Sequence, residues 1–128
     1  MKAAQINRYG EAEVVEINNV PKPVLKDELV LIQVYAAGVN PIDWKIMEGY
    51  LKNMVPLKFP ATLGGDLSGV IVETGQEVTS FKKGDEVYGS AIVLGKGSGS
   101  FAEFAAASKD TIALKPKNIN HHEAAALP

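Results

Sequence analysis

AAGVNPIDWKIMEGY, residues 36–50, marks the point where an apolar, strand-like run ends and a different element begins. Asn40 suits a helix N-cap and Pro41 suits the first helical position. Asp43 lies three residues after the cap, near the positive end that a helix would present there. We therefore predict a short helix over residues 41–48.

The same segment contains the only tryptophan of the chain, Trp44, between an acidic and a basic residue. One interpretation is a buried aromatic anchor, because Trp44 shares a helix face with Met47 and Leu51, next to the face that Ile42 and Ile46 form. The other interpretation is the rim of a binding site. The residues of the segment alone are compatible with both.

Most of the remaining chain is predicted as short strands separated by glycine and proline turns. The strongest strand is Glu28–Ala37, which is apolar on both faces, so both faces are expected to be largely covered. The other predicted strands are residues 2–6, 13–17, 67–74, 86–88, 101–107 and 111–114, and residues 51–60 are predicted as loop. This pattern favours a small barrel over alternating strand–helix units, so the predicted class is mainly β with short helices.

The composition excludes several classes of protein. Hydrophobic residues make up 46% of the 128 residues and charged residues 22%, which is typical of a globular domain. A formal charge of −2 without a basic cluster argues against nucleic-acid binding. The absence of cysteine excludes disulfides, a thiolate zinc site and a cysteine nucleophile, and it is compatible with the cytoplasm. We expect neither a signal peptide nor a membrane span.

The glycine-rich segment Gly95–Ser100 is superficially similar to a phosphate-binding loop. However, Ser100 stands where the G-x-G-x-x-G pattern needs its last glycine. The residues that follow are predicted as a strand, whereas the pattern should open a helix. We interpret this segment as a flexible hairpin loop.

Several single polar residues have a structural and a functional interpretation. Asp66, between glycines at the mouth of a strand, is either a turn residue with a local backbone hydrogen bond or an acceptor that faces a ligand or holds a loop. Asp85 is interpreted as a turn residue, and Lys45 is expected to be solvated. His121 and His122 lack a third ligand at metal-site spacing, so we expect both to face solvent.

The C-terminal residues predict the start of another helix. Asn120–Glu123 has the form of a capping box, and three alanines follow it. A helix of one turn is marginal alone. We therefore expect residues 1–120 to form one domain, and residues 121–128 to begin a linker helix in a longer protein.

A series of short motifs resembles the medium-chain dehydrogenase/reductase superfamily. The motifs are AGVNPID at residues 37–43, Phe59–Pro60, LGGD at residues 63–66 with Gly69–Val70, and FKKGDEV at residues 81–87. In order and spacing they span essentially the whole chain, and they are most similar to the N-terminal catalytic domain of the zinc-independent quinone oxidoreductases. The resemblance implies a GroES-like, partly open β-barrel.

The resemblance also implies a site without zinc. Zinc-dependent alcohol dehydrogenases have cysteine at the position of Asn40 and histidine at the position of Gly65, and they carry a four-cysteine zinc lobe that has no counterpart in this sequence. Neither an asparagine amide nor a glycine supplies the expected ligand.

For the full-length protein, the resemblance implies NADPH, bound in a cleft between this barrel and a Rossmann domain, and hydride transfer to a quinone or an enone. It places Asn40 near the nicotinamide and its ribose. It makes Lys45 the catalytic group, which would contact the cofactor or polarise the substrate carbonyl and stabilise an enolate. Asp66 and Trp44 complete the predicted cofactor-binding set. We also expect the full-length protein to be a homodimer. Its expected location is the cytoplasm, and we expect no membrane partner.

Two other hypotheses remain open. The chain could be a standalone GroES-like barrel that acts as a binding module without catalysis, or part of a reductase-like protein that acts as a scaffold. A self-contained module should complete its last element. We therefore expect, from the unfinished alanine-rich helix, a piece of a longer protein and not a standalone module.

Overall fold

The computed structural model describes residues 1–128 and contains eight β-strands and two short α-helices. The strands are β1 (Lys2–Ile6), β2 (Glu16–Asn19), β3 (Leu29–Ala37), β4 (Ala61–Thr62), β5 (Asp66–Thr74), β6 (Glu86–Ser90), β7 (Phe104–Ser108) and β8 (Ile112–Leu114). The helices are α1 (Pro41–Met47) and α2 (His121–Ala125), and a 3₁₀ turn covers Ala12–Val14. The prediction of a mainly β chain with short helices is confirmed.

The strands form two antiparallel sheets that do not close into a complete barrel. The smaller sheet has the order β2-β1-β4, and the larger has the order β7-β3-β5-β6-β8. The backbone of Glu103 joins the sheets, because its N–H donates to the Lys2 carbonyl of β1 (3.1 Å) and its carbonyl accepts from the Val34 N–H of β3 (2.9 Å). This architecture confirms the predicted partly open barrel.

Each sheet has its own apolar core. Five fully buried side chains of the larger core come from three adjacent strands, Val30, Ile32, Leu67, Ile71 and Val87. Complete burial of one such side chain stabilises a fold by about 1.5–3 kcal/mol. Gly69 lets β5 approach β3 here, since a Cβ atom at this position would lie 2.1 Å from the Gln33 carbonyl oxygen. Helix α1 leaves β3 beside the smaller core, which includes Met47.

The predicted strand at residues 13–17 is wrong. The chain forms the 3₁₀ turn with Val14 buried, and the strand runs over Glu16–Asn19 instead. The cause is a polar ladder across the small sheet. The Asn18 amide donates to the Gln5 side chain (3.1 Å), which donates to the Thr62 hydroxyl (3.2 Å). These bonds bring into the sheet Asn18, which lies beyond the end of the predicted strand.

The interpretation of Gly95–Ser100 as a hairpin loop is also wrong. Strands β6 and β7 are not neighbours, since β5 and β3 lie between them. The segment crosses the larger sheet and is bonded to it, because Ser98 exchanges hydrogen bonds with the Ala106 backbone at 2.8 and 3.0 Å. Strand β7 begins at Phe104 and not at residue 101, where the predicted strand begins.

The other predicted elements lie close to their observed bounds. Strand β1 matches its prediction, β3, β5 and β8 begin within one residue of theirs, β6 continues to Ser90, and α1 ends at Met47. The two-residue strand β4 was not predicted. Neither helix is long enough to cross a lipid bilayer.

Candidate functional site

Helix α1 begins at Pro41 with Asn40 at its N-cap, as the sequence predicts. Asn40 has an extended backbone (φ −126°, ψ 159°), and its N–H donates to Asp43 Oδ2 at 2.7 Å. The Asp43 N–H in turn donates to the Asn40 carbonyl oxygen at 3.0 Å. These local bonds fix the direction in which the chain leaves β3, and with it the position of the Asn40 side chain.

Asn40 and Asp66 are brought together across the end of the large sheet. The Asn40 Nδ2 group donates to Asp66 Oδ2 at 2.5 Å, and the Gly38 N–H donates to the Asp66 carbonyl oxygen at 3.0 Å. Asp66 is the first residue of β5, so it is not the turn residue of the structural interpretation. Both side chains are half-buried, and the pair lies at the start of α1.

A second carboxylate lies beneath this pair. Asp43 is only 6% exposed, and its Oδ1 atom is buried without a hydrogen-bond partner. Burial raises the pKa of the Asp43 carboxyl above its usual value; the Asn40 N–H bond opposes the shift, and the negative charge of Asp66 adds to it. Asn40 thus contacts two acidic groups, one through its backbone and one through its side chain.

Trp44 and Lys45 lie on the exposed part of α1. Trp44 is 42% exposed and packs edge-on against Tyr50, with the ring centres 5.2 Å apart. The interpretation of Trp44 as a buried anchor is therefore wrong. Ile46 and Met47, 4% and 9% exposed, hold the helix against the barrel. Lys45 is exposed as predicted, and its Nζ lies 5.8 Å from the centre of the Trp44 ring.

The four predicted site residues therefore form two pairs, one between the N-cap of α1 and the start of β5, and one on α1 itself. Asn40 bonds to Asp66, and Lys45 lies over Trp44. No hydrogen bond or ion pair joins one pair to the other. A cavity of about 210 Å³ opens beside the helix, and apart from Asp43 its wall is apolar, with Val39, Trp44, Met47, Leu63 and Phe101 among its lining residues.

The expectation that both histidines face solvent is wrong for His121. Its side chain is 13% exposed, Nδ1 lies 2.6 Å from Ser68 Oγ, and Nε2 lies 3.2 Å from Glu86 Oε1. The ring also packs against Tyr35, with the centres 4.6 Å apart. His122 is exposed as expected. The signal in the sequence was Ser68, a small polar residue between Leu67 and Gly69 in the buried part of β5.

The side chains at the zinc-ligand positions of the resembled family do not form a metal site. No three His, Cys, Asp or Glu side chains lie close enough together to hold an ion. Asn40 supplies an amide that is already bonded to Asp66, and Gly65 supplies no side chain. A Cβ atom at position 65 would lie 3.4 Å from Ile92, an ordinary contact, so packing alone does not require this glycine.

The fold and these motifs define a class of protein. Residues 26–117 match the family model of the alcohol dehydrogenase GroES-like domain, and the chain belongs to this family. The predicted resemblance to the N-terminal domain of quinone oxidoreductases is confirmed by the relatives that follow.

Three relatives illustrate the similarity. The chain is 41% identical to a 2-methylene-furan-3-one reductase of Solanum lycopersicum and 40% identical to a chloroplastic NADPH-dependent alkenal/one oxidoreductase of Arabidopsis thaliana. Each match covers 100% of this chain and 34% of the relative. The structure of a quinone oxidoreductase from Coxiella burnetii superposes with a TM-score of 0.85 at 36% identity, over 100% of this chain and 41% of that one. The chain thus spans 34% to 41% of the length of these proteins.

Proposed function

We propose that this chain is the substrate-side domain of an NADPH-dependent quinone or enone oxidoreductase. The names of the relatives support the reaction class and the cofactor. In this proposal residues 1–120 form the domain, and residues 121–128 begin the helix that leads to a nucleotide-binding Rossmann domain. The observation that carries the proposal is the pair Asn40–Asp66 at the start of α1, with Lys45 on the next turn and an apolar cavity alongside.

Asn40 and Asp66 orient the cofactor in this proposal. Bound NADPH supplies a hydride. Asp66 accepts one N–H of the Asn40 amide and so fixes the plane of that amide. The other Nδ2 hydrogen is then directed at the nicotinamide or its ribose. A fixed donor loses little orientational entropy when the ligand binds, which favours a single bound geometry.

Lys45 stabilises the charge that develops on the substrate. Its ammonium group is exposed and takes part in no ion pair. Donation to the carbonyl oxygen of a quinone or enone stabilises the negative charge that forms there when the conjugated C=C bond accepts a hydride. The exposed face of Trp44 offers an apolar surface for the planar reactants.

The reaction is proposed to proceed without zinc. The support is the donor set itself, because an amide at position 40 and glycine at position 65 leave no cluster of metal-binding side chains. The absence of cysteine is compatible with a cytoplasmic location, and a homodimer is the proposed assembly.

The proposal is tested on the product of the complete reading frame, including whatever follows codon 128. Its NADPH consumption is measured with a simple quinone and with a conjugated ketone. Lys45→Ala should lower kcat by about two orders of magnitude, in the range found when one charge-stabilising donor is removed. Lys83→Ala removes an exposed lysine from the connection between β5 and β6 and is the matched control.

Equal rates for the two variants would contradict the role of Lys45. No consumption with either substrate class would instead favour a binding module without catalysis. A chelator should leave the rate unchanged, and loss of activity that added Zn²⁺ restores would contradict the metal-free site.

A further inference from the structure

The cavity beside α1 has a wall that the fold itself holds in place. Three of its lining residues come from separate parts of the chain and are joined by backbone hydrogen bonds. The Ala4 N–H donates to the Phe101 carbonyl oxygen at 2.8 Å, and the Phe101 N–H donates to the Leu63 carbonyl oxygen at 2.9 Å. Helix α1 contributes Met47, which belongs to the smaller core. A ligand therefore finds this cavity already formed, as is usual for small-molecule sites.

The mouth of the cavity is formed by large apolar side chains that remain exposed. Val15 follows the 3₁₀ turn, Val39 lies in the connection between β3 and α1, and Trp44 is on α1. All three are exposed, and all three line this one cavity. Single exposed apolar residues are ordinary on a protein surface, whereas a group of them around a concave site is typical of ligand binding.

The wall favours a hydrocarbon group over a polar one. Asp43 is the only lining residue with an ionisable side chain. Its Oδ2 atom accepts the Asn40 N–H, and its Oδ1 atom is buried, so the carboxyl offers no free oxygen to a ligand. Apart from it, only the Trp44 indole carries a hydrogen-bonding group. A ligand oxygen placed here would lose its bonds to water with little return, whereas a hydrocarbon group has none to lose.

The volume of the cavity limits the size of that group. An apolar protein cavity of about 150 Å³ binds benzene, which has six carbon atoms. In proportion, a cavity of about 210 Å³ holds about eight carbon atoms. This is the size of a medium-length alkyl chain.

Trp44 connects the cavity to the group proposed to bind the substrate carbonyl. Its side chain lines the cavity, and Lys45 Nζ lies 5.8 Å from the centre of its ring. Tyr50 packs edge-on against the same ring at 5.2 Å and helps to fix its position. A substrate whose carbonyl oxygen is bound by Lys45 can therefore extend an apolar substituent across Trp44 and into the cavity.

We propose that the cavity binds the alkyl substituent of the substrate, so that the preferred substrates are alkyl-substituted quinones or enones. The inference rests on the proposed function, because that proposal places the reacting carbonyl at Lys45. Val15 and Val39, at the mouth, determine which substituents enter, and they contact the substituent and not the reacting atoms. Each methylene group that leaves water raises kcat/KM by about two- to fourfold until the cavity is full.

The test measures kcat/KM of the complete product with NADPH and 1,4-benzoquinones that carry a methyl, a butyl or an octyl group. These groups have nearly the same electronic effect on the ring, so differences in rate report contact with the protein. The butyl quinone should exceed the methyl quinone by about tenfold or more. Val39→Phe fills the mouth and should remove most of this preference. Val24→Phe makes the same change at an exposed position outside the cavity and should retain it.

Val15→Phe narrows the mouth from the other side, so it gives a result even if Val39→Phe does not fold. Equal kcat/KM for the methyl and butyl quinones would overturn the inference and leave the proposed function intact. A butyl preference that survives in both Val15→Phe and Val39→Phe would do the same.

Binding is also measured without turnover, by methyl NMR of the complete product with toluene as the probe. The methyl signals of Val15, Val39 and Met47 should shift and saturate, whereas those of Val24 should not. A product that consumes no NADPH would contradict the proposed function, and the toluene titration then decides the cavity. Toluene shifts that are absent from these three residues would overturn the apolar site itself.

Discussion

At the scale of single residues, the buried carboxylate of Asp43 links stability to pH. Its pKa is raised in the folded chain, so the folded state holds the proton more tightly than the unfolded state. The resulting cost is absent in acid, where both states are protonated. It appears as the pH rises above about 4, where an unfolded aspartate ionises, and it persists above the folded pKa.

The raised pKa of Asp43 gives the first prediction, on the stability of the variant Asp43→Asn. Asp43→Asn retains an acceptor for the Asn40 N–H and has no charge to bury. The free energy of unfolding of this variant should therefore fall less than that of the wild type between about pH 4 and pH 7. Urea unfolding at several pH values measures it. Parallel curves for the variant and the wild type would show that the Asp43 proton is not coupled to folding.

For Asp85 the pKa shift, and therefore the dependence of stability on pH, has the opposite sign. Hydrogen bonds from the Lys82 N–H (3.0 Å) and from Lys82 Nζ (3.1 Å) lower the pKa of Asp85. Its contribution to stability is present above the unfolded pKa and is lost as the pH falls through the folded one. We predict that Asp85→Asn destabilises the chain more near pH 7 than near pH 3. The same urea series measures it, and a loss of stability that does not change with pH would contradict it.

At the scale of elements, contact between α2 and the Gly38 turn gives a packing prediction. Gly38→Ala places a methyl group 2.7 Å from the Ala125 carbonyl oxygen, so backbone must move, at a cost of about 1–3 kcal/mol. Gly65→Ala is the control, because its methyl group would meet Ile92 at 3.4 Å. Chemical denaturation compares the two variants. Equal stability losses would mean that α2 is free to move away from Gly38.

Whether an element could be predicted from the sequence depended on how local its causes are. The start of α1 was predictable because its causes are local: Pro41 suits the first helical position, and Asp43 accepts the N–H of the N-cap residue Asn40. Strand β2 was misplaced because its register depends on a ladder from Asn18 through Gln5 to Thr62, which no sequence window contains. The prediction of a hairpin between β6 and β7 was wrong because strand order is a property of the whole sheet.

The residues of the candidate site also differ in how far the sequence could predict their positions. The pair Asn40–Asp66 could be suspected from the motifs in which both residues lie, although their hydrogen bond spans 26 residues. His121 could not be placed, because its partners are 53 and 35 residues away in the sequence. The exposure of Trp44 could not be decided from the sequence, because helical spacing groups it with Met47 without stating how far the buried face extends.

At the scale of the whole molecule, the chain is proposed to supply only one wall of the cofactor site. Its single glycine-rich segment crosses a sheet and does not open a helix, so it lacks the loop that cradles a pyrophosphate. We predict that the 128-residue chain alone oxidises NADPH at the background rate, in the assay used for the complete product. Turnover by this chain at the rate of the complete product would contradict the proposed two-domain site.

In the proposed complex the start of α1 faces the nicotinamide. A crystal structure of the complete product with NADPH measures this directly. We predict the Asn40 amide within hydrogen-bond distance, about 3 Å, of the nicotinamide or its ribose, and the Lys45 ammonium on the same side of the ring. A nicotinamide bound away from α1, with Asn40 still bonded only to Asp66, would contradict it.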